Sequence, residues 1–424
     1  MKKKCIKGTA LALLAAMSLS IGALPVTGAL APSNPEAKSV IEEGASLAVT
    51  EKAKEQETKQ EAMEKLPQLA PGSEEYIPTI TASPLSETVN LLEGGIYETA
   101  ANYERFKSEE YYQPGVDCFA PVDVQMSWTA EEGALYYTVK LGMDKALTNA
   151  TSYVTFESAM SIPDLFTGET YYYQIIVHYA DKTVKSRIFE FKTANLPRTI
   201  YLEGVSNTRD AGGYYTEDGQ YRVRQGMVYR GGKLEGMTDA AKEKALKVYG
   251  FKTDLDLRAE TGASPLGSSV NFVNVSGPYY SGPDTGIISD KSSTRLPYWE
   301  GTYRDALKLE IQTFANRDNY PIYVHCSLGR DRTGTLIFLI NALCGVGEKD
   351  LYMDYELSFF SQVGTMDNAS PTRMVTTFHS LYEYIRKYSD GTVKENTELF
   401  MLDLGITQEE INTIRSILCE EVQK

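Results

Sequence analysis

The sequence has few of the residues that build most metal centres and disulfide frameworks. Its 424 residues include three histidines, His178, His325 and His379, which stand far apart along the chain. A metal site made of histidines is therefore not expected, and we predict chemistry that needs neither a metal nor another cofactor. The five cysteines are widely scattered and do not have the dense pairing of a small disulfide-stabilised domain.

Positive charge is also scarce. The chain has 42 lysines and arginines against 57 aspartates and glutamates, which gives a formal net charge of −15 at pH 7. A surface of this sign repels nucleic acid, so we expect no nucleic-acid partner. A phosphate group can still bind, because backbone amides and a guanidinium act at contact range while distant charges are screened by salt.

Long hydrophobic runs are absent after residue 24. Before that point, four lysines between residues 2 and 7 precede an apolar stretch over residues 9–24, and small residues follow. This order predicts a signal peptide over residues 1–29, and hence a secreted or cell-surface protein without stable membrane insertion after cleavage. The alternative is an uncleaved membrane anchor, for which the apolar stretch is short.

The region after the leader divides into a charged linker and a strand-rich unit. Residues 30–75 are rich in Glu, Lys, Ala and Gln, and the charged run from residue 51 has no apolar face, which predicts a solvated linker. Residues 76–195 then show short alternating segments separated by turn residues, as in an all-β domain. The predicted strands cover residues 122–128, 136–141, 152–156, 171–179 and 187–192.

The motifs of this unit, MSWT at 126–129 and GETYYYQII at 168–176 among them, resemble a fibronectin type III β-sandwich. The resemblance implies that Trp128 lies in the core; sugar binding by Trp128 and the tyrosines is the alternative. Residues 76–119 are expected to add the first strand and an irregular extension. The sandwich is a candidate surface for a protein or cell-surface partner.

The most informative segment is residues 320–340. A β-branched and aromatic run ends at His325-Cys326, a Gly-containing loop follows, and an apolar run of helical length begins at Thr333. We call residues 326–332 the cysteine loop. A loop that curls into a helix N-terminus directs backbone N–H groups inward, and this arrangement suits a tetrahedral dianion.

Each residue of the cysteine loop has an expected part in binding or attack. The field of the amides favours the thiolate of Cys326, which becomes a nucleophile directed at phosphorus. Arg332 adds a planar guanidinium matched to two phosphate oxygens, and Thr333 can donate to the sulfur or cap the helix. The remaining residues of the predicted phosphate-binding set are Ser327, Leu328, Gly329 and Arg330.

The pattern His-Cys-x-x-Gly-x-x-Arg-Thr resembles the signature of the cysteine-based protein tyrosine and dual-specificity phosphatases. Five further blocks resemble the bacterial atypical branch of that family, which includes lipid- and phosphoinositide-active members. They read NTRDAGGY at 207–214, RQGMVYRGGKL at 224–234, GFKTDLDLRAE at 250–260, DLYMDYELS at 350–358 and LGITQEEI at 404–411. Arg330 is a departure, because that branch usually carries Lys there.

The resemblance implies an α/β domain over residues 196–424, with a central, mostly parallel sheet flanked by helices. It implies a phosphocysteine mechanism in which His325 orders the loop and Asp331 is a candidate general acid. Loop bracing is the other reading of Asp331, and Asp284 and Asp290 are the fallback acids. Structural ion pairing is favoured for Asp210, Asp256 and Arg258, bracing of the fold for Arg230, and packing for His178 and His379.

These expectations favour an exported bacterial phosphatase that hydrolyses phosphotyrosine, with dual specificity left open. Two alternatives remain. One is a phosphoinositide or inositol-phosphate phosphatase, which basic residues beside the loop, Arg330 above all, would favour. The other is a secreted adhesion protein that binds phosphate without turnover, although an intact Cys326 and Arg332 argue against it. A rhodanese-like sulfur transferase also uses a cysteine loop, but the Gly-Arg-Thr end fits phosphate better.

Overall fold

The computed structural model describes residues 75–76, 80–92, 96, 100–104, 120–258, 262–276, 302–361 and 371–422. The predicted signal peptide and almost all of the charged linker lie outside these residues. So do Cys118 and the two fallback acids, Asp284 and Asp290.

The first part of the described chain is built from ten strands. They are β1 (Glu75–Tyr76), β2 (Ala82–Ser83), β3 (Thr88–Val89), β4 (Val124–Trp128), β5 (Tyr136–Gly142), β6 (Thr151–Thr155), β7 (Ala159–Ile162), β8 (Thr170–His178), β9 (Thr183–Lys185) and β10 (Phe189–Thr193). Strands β2, β4 and β7 form one sheet, and the other seven form a second sheet centred on β8.

The two sheets enclose a common core. Along β4, Val124, Met126 and Trp128 are buried while the residues between them are exposed, and β10 alternates in the same way through Phe189 and Phe191. Side chains from both sheets form one apolar cluster. The predicted all-β alternation is therefore confirmed, whereas membership of the fibronectin type III family stays a prediction.

Trp128 lies inside this cluster, 7% exposed, with its ring edge-on to Tyr137 at a centroid distance of 5.4 Å. The core interpretation of Trp128 is thus confirmed over the sugar-binding alternative. His178 stacks on Tyr136 and shares a hydrogen bond with Thr138, consistent with packing.

A second sheet system follows from residue 209. Its five strands are β11 (Arg209–Asp210), β13 (Val228–Gly231), β14 (Thr253–Asp256), β15 (Asn271–Asn274) and β16 (Ile322–His325), in the order β11-β13-β16-β14-β15. Only β11 runs antiparallel to its neighbour in this sheet. The short strands β12 (Tyr221–Val223) and β17 (Cys419–Glu421) pair separately. The predicted mostly parallel sheet is confirmed.

Seven helices accompany this sheet in the described residues. They are α1 (Asp239–Lys247), α2 (Thr302–Phe314), α3 (Asp331–Cys344), α4 (Glu348–Glu356), α5 (Pro371–Arg386), α6 (Val393–Leu404) and α7 (Gln408–Leu418). Capping boxes fix the starts of α6 and α7 at Thr392 and Thr407. Among these described helices, none combines the length and apolar character needed to cross a bilayer.

Both faces of the five-stranded sheet are covered. Ile322 and Val324 of β16 join the large cluster formed with α2 to α7, and Tyr323 between them joins a smaller cluster that includes Ala241 and Ala245 of α1. Such alternation between two buried faces is typical of a parallel sheet in an α/β fold. It places β16 in the middle of the sheet and of the core.

The loop between β7 and β8 of the sandwich contacts the α/β part. Asp164, in the left-handed region at φ 62°, accepts a hydrogen bond from the Tyr249 hydroxyl at 2.6 Å and pairs with Lys244 at 2.9 Å. Its carbonyl oxygen accepts from Arg198 at 2.6 Å, and Arg198 also pairs with Asp210 at 3.0 Å. The ion-pair interpretation of Asp210 is confirmed.

Side chains from the range 76–119, which the sequence assigned to the sandwich unit, enter the α/β core. Leu92, Ile96, Ala100 and Tyr103 belong to the large cluster, and the Tyr103 hydroxyl donates to Glu356 at 2.8 Å. The sequence prediction assigned these residues to the sandwich unit, because their spacing alone does not reveal which core they fill.

Candidate active site

The cysteine loop joins β16 to α3 at the centre of the sheet edge. Because parallel strands end at the same edge, the loop lies beside the ends of β13 and β14. Cys326 is the first residue after β16 and is 4% exposed. The thiol therefore sits recessed at the point where ligands commonly bind in α/β folds.

Gly329 lets the loop pass directly over the end of β13. Its φ is 68°, and a Cβ at this position would stand 2.1 Å from the carbonyl oxygen of Gly231. A side chain at residue 329 would thus meet both a disfavoured backbone conformation and fixed backbone atoms.

Outward hydrogen bonds fix the carbonyl groups of the loop. Asn207 Nδ2 donates to the oxygens of Leu328 at 3.0 Å and Gly329 at 3.1 Å, and the Lys233 N–H donates to the oxygen of Ser327 at 3.3 Å. The C=O and N–H of one peptide unit point in opposite directions. The amides that follow these carbonyls consequently point inward, away from Asn207 and Lys233, and the Leu328 N–H among them helps to lower the pKa of Cys326.

A buried ion cluster stabilises this arrangement. Arg230 donates to the oxygen of Gly329 at 2.8 Å and pairs with Asp354, while Arg209 donates to Asn207 Oδ1 at 2.6 Å and to Asp354 at 3.0 Å. Burial raises the pKa of Asp354, but Arg230 and Arg209 outweigh it and lower the pKa overall. Arg230 therefore supports the loop, in keeping with the bracing interpretation.

Cys326 is a thiol whose pKa lies below its ordinary value. Burial opposes ionisation, but the hydroxyl and N–H of Thr333, the charge of Arg332 and the N–H of Leu328 together lower the pKa. Thr333 Oγ1 is buried and has no other hydrogen-bond partner within the described residues. The sequence prediction that Thr333 serves the sulfur agrees with this placement.

His325 lies between two aspartates beneath the loop. Its Nε2 is 2.9 Å from Asp254 Oδ1, and its Nδ1 is 3.2 Å from the Cys326 carbonyl oxygen and 3.8 Å from Asp256 Oδ1. Burial lowers the pKa of His325, but Asp254 and Asp256 outweigh it and raise the pKa overall. The imidazolium form can donate to Asp254 and to the loop together. Asp256 also pairs with Arg258 at 2.8 Å, which confirms their ion-pair interpretation.

Arg332 follows Cys326 by six residues, whereas His325 directly precedes it. Its Nη1 donates to the oxygen of Leu257 at 3.0 Å, and its charge helps to lower the pKa of Cys326. Glu310 of α2 lies within electrostatic range of Arg332, is 1% exposed, and its Oε1 has no hydrogen-bond partner in the described part of the chain. Burial raises the pKa of Glu310 well above its usual range, against the opposing charge of Arg332.

Sequence reasoning assigned no role to Glu310 or Asn207, nor to Arg209, Asp254 and Asp354. A signal for Glu310 was present, because it interrupts the apolar stripe of α2 formed by Leu307, Ile311 and Phe314, all fully buried. An acidic residue on a buried helix face needs a reason, and here its neighbour is the loop arginine.

Arg330 and Asp331 are placed together. Arg330 Nη2 donates to Asp331 Oδ2 at 3.1 Å and Nε to Oδ1 at 3.2 Å, with side-chain exposures of 4% for Arg330 and 24% for Asp331. The guanidinium expected at the phosphate is thus directed at the neighbouring carboxylate. Asp331 is the first residue of α3, at the rim of the loop. Its role as general acid stays a prediction.

Gly329→Ala should destabilise the protein more than the same change at another left-handed glycine. Gly219, at φ 65° with open space around its Cβ position, is the matched control. Gly219→Ala should lower the free energy of unfolding by about 1 to 2 kcal/mol. Gly329→Ala adds the clash with Gly231 and should exceed this clearly in urea unfolding. Equal losses would show that the loop does not depend on its close approach to β13.

Glu310→Gln should change how stability varies with pH. Above the carboxyl's ordinary pKa the unfolded chain loses the proton that the native state retains, so wild-type stability falls by up to about 1.4 kcal/mol per pH unit. The variant lacks this loss, and its stability relative to wild type should increase as pH rises from 4.5 to 7. Unfolding free energies across this range give the measurement.

Glu243→Gln on exposed α1 is the control for that series. A hydrogen bond from Lys247 lowers the pKa of Glu243, so the stability that its ionisation contributes is lost only below its ordinary pKa, and the relative stability of this variant should not increase between pH 4.5 and 7. If the Glu310→Gln and wild-type curves run parallel, the buried carboxyl is not held protonated.

Two proteins with similar sequences carry the name of a tyrosine-protein phosphatase. A protein of Cupriavidus necator named "Putative tyrosine-protein phosphatase" is 29% identical over 172 residues, covering 37% of this chain and 61% of its own. A protein of Scheffersomyces stipitis with the name "Putative tyrosine-protein phosphatase OCA1" is 38% identical over 119 residues, which cover 26% of this chain and 54% of that protein. The chain thus spans less than two thirds of the length of either relative.

Among solved structures, the core catalytic domain of the PP-IP phosphatase SIW14 from S. cerevisiae is 16% identical, with a TM-score of 0.24 over 41% of this chain and 89% of that one. Residues 200–420, just over half of the sequence, match the profile described as "Tyrosine phosphatase family". This match includes the cysteine loop, the ion cluster around Asp354 and all seven described helices. The chain therefore belongs to the tyrosine phosphatase family.

Proposed function

We propose that the protein is a cysteine-dependent phosphatase that hydrolyses phosphate monoesters, phosphotyrosine first among them, through a phosphocysteine intermediate. The observation that carries the proposal is the Cys326 thiol, whose pKa is lowered inside a loop with inward amides and the Arg332 guanidinium beside it. A structural cysteine in an apolar core would have a raised pKa instead.

The first step is an in-line displacement at phosphorus. The thiolate of Cys326 forms a bond to phosphorus as the bond to the leaving oxygen breaks, and the loop amides with Arg332 hold the three equatorial oxygens. In the second step, water attacks phosphorus and the thiolate leaves, eased by the hydrogen bond from Thr333. Both steps need the amides in position beforehand, which the bonds from Asn207 and Arg230 support.

The leaving oxygen needs a proton in the first step, and Asp331 is our candidate donor. Its carboxyl group lies at the rim of the loop, partly exposed, and Arg330 fixes its orientation through two hydrogen bonds. A group at the rim can reach the ester oxygen, which projects outward from a phosphate bound in the loop.

The pairing of Arg330 with Asp331 favours a single phosphate as the recognised group. A substrate that carries several phosphates, such as an inositol phosphate, is best recognised by cations directed at the mouth of the site. Here the guanidinium of Arg330 is 4% exposed and bound to the adjacent carboxylate. We therefore place phosphotyrosine ahead of the inositol-phosphate alternative.

Cys326→Ser should abolish turnover of p-nitrophenyl phosphate in chelator-containing buffer while the loop still binds orthovanadate or orthophosphate. Arg332→Lys is the companion variant and should weaken that binding, because a point charge cannot match two oxygens. Initial rates and isothermal titration provide the readouts for both variants. For the wild type, kcat/KM should be higher with a phosphotyrosine peptide than with inositol phosphates. Phosphate binding by wild type without any turnover would support the adhesion alternative and overturn the proposal.

Asp331→Asn should slow phenyl phosphate hydrolysis by about 10² or more, yet slow dinitrophenyl phosphate much less, because that leaving group needs no proton. Arg330→Gln is the matched control, which removes the carboxylate's partner and keeps the acid. A plot of kcat against leaving-group acidity makes the comparison. An equal loss with both esters would assign Asp331 to support of the loop instead.

A further inference from the structure

Two thiols outside the proposed active site lie against each other. Cys344 is the last residue of α3 and 2% exposed, and Cys419 is the first residue of β17 and partly exposed. They are 75 positions apart in the sequence, so the fold and not the local chain brings them together. Neither residue belongs to the cysteine loop.

Hydrogen bonds to backbone carbonyls hold the two chain segments together. At the end of α7, Arg415 Nε donates to the oxygen of Leu343 at 3.0 Å, and the Cys419 N–H donates to the oxygen of Arg415. The C-terminus of α7 is thereby tied to the C-terminus of α3. Cys419 packs against the cluster that contains Cys344, and each thiol shifts the pKa of the other.

We propose that Cys344 and Cys419 form a reversible disulfide when the protein meets a low-molecular-weight disulfide oxidant. Cys419 Sγ, the partly exposed sulfur, attacks one sulfur of the oxidant, and the other leaves as a thiolate. Cys344 then gives up its proton and attacks Cys419 Sγ of the mixed disulfide, releasing the second thiolate. The two protein sulfurs lose two electrons and two protons in total, and the oxidant is reduced to two thiols.

The ionisation preferences of the pair agree with this order of events. The hydrogen bond from Cys344 lowers the pKa of Cys419, against partial burial, and the same contact with burial raises the pKa of Cys344. The thiol that an oxidant can reach is therefore the more readily ionised one, as the attacking partner must be.

The bond would enclose the segment that supports the active site. Residues 345–418 contain α4, whose Asp354 holds Arg209 and Arg230 beside the cysteine loop. A disulfide around this segment restricts the unfolded chain and should raise the stability of the native state. Cys344 lies about 20 Å along the 14-residue helix α3 from its start, too far to rescue an oxidised Cys326.

The test uses the full chain, treated with glutathione disulfide and then with iodoacetamide under denaturing conditions. Proteolysis and mass spectrometry should show a peptide pair joined through Cys344 and Cys419, which separates on reduction. The midpoint of thermal unfolding should rise by roughly 5 °C or more. Neither readout depends on catalysis, so failure here is distinct from failure of the proposed function.

Cys344→Ser and Cys326→Ser are the paired controls. Cys344→Ser should lose the joined peptides, carry glutathione on Cys419 and show no rise in the unfolding midpoint. Cys326→Ser should keep both responses of the wild type. Alkylation of both thiols after oxidation, or glutathione on Cys419 without joined peptides in the wild type, would overturn the proposal.

Discussion

The ion cluster of Arg209, Arg230 and Asp354 is the interaction on which the site depends. All three side chains are buried, and each arginine is bound to the one carboxylate while it also contacts the cysteine loop or the asparagine that holds it. Loss of one member of such a cluster leaves an uncompensated charge in the interior, which typically costs about 3 to 5 kcal/mol. Charge pairing on the outer side of the loop thus stabilises the conformation in which the loop amides point inward.

Two further cations set the electrostatics around the thiol. His325 pairs with Asp254 beneath the loop, and Arg332 lies near Glu310, whose buried carboxyl holds its proton. The cations favour a thiolate, and the charge of Asp254 limits the cost of burying His325. The site therefore combines a recessed sulfur with an electropositive environment, although the chain as a whole is strongly acidic.

Much of this architecture follows from local sequence patterns. The β-rich unit was predictable from period-two alternation, and the five longest strands of the sandwich begin and end within two residues of the predicted limits. The loop was predictable because Cys326, Gly329, Arg332 and Thr333 have separate tasks at fixed spacing. Strands β7 and β9 were missed, because three or four residues are too few to show a period.

Other features depend on tertiary contacts that a linear pattern does not contain. Asn207 lies more than a hundred residues before the carbonyls it binds, and nothing in its neighbours specifies that contact. The direction of the Arg330 side chain was also beyond prediction, because the same sequence allows either a buried pair with Asp331 or an exposed cation. The packing of Leu92, Ile96, Ala100 and Tyr103 in the α/β core is likewise a tertiary contact that their spacing does not reveal.

Helix α3 has no exposed face from Thr333 to Cys344, because every one of these residues is buried. A helix packed on all sides cannot slide or rotate without opening the interior, so its first amides occupy their positions before any anion arrives. Capture of an anion at this terminus should consequently cost little ordering entropy, and most of the interaction energy remains for distinguishing the pentacoordinate geometry from the resting ester.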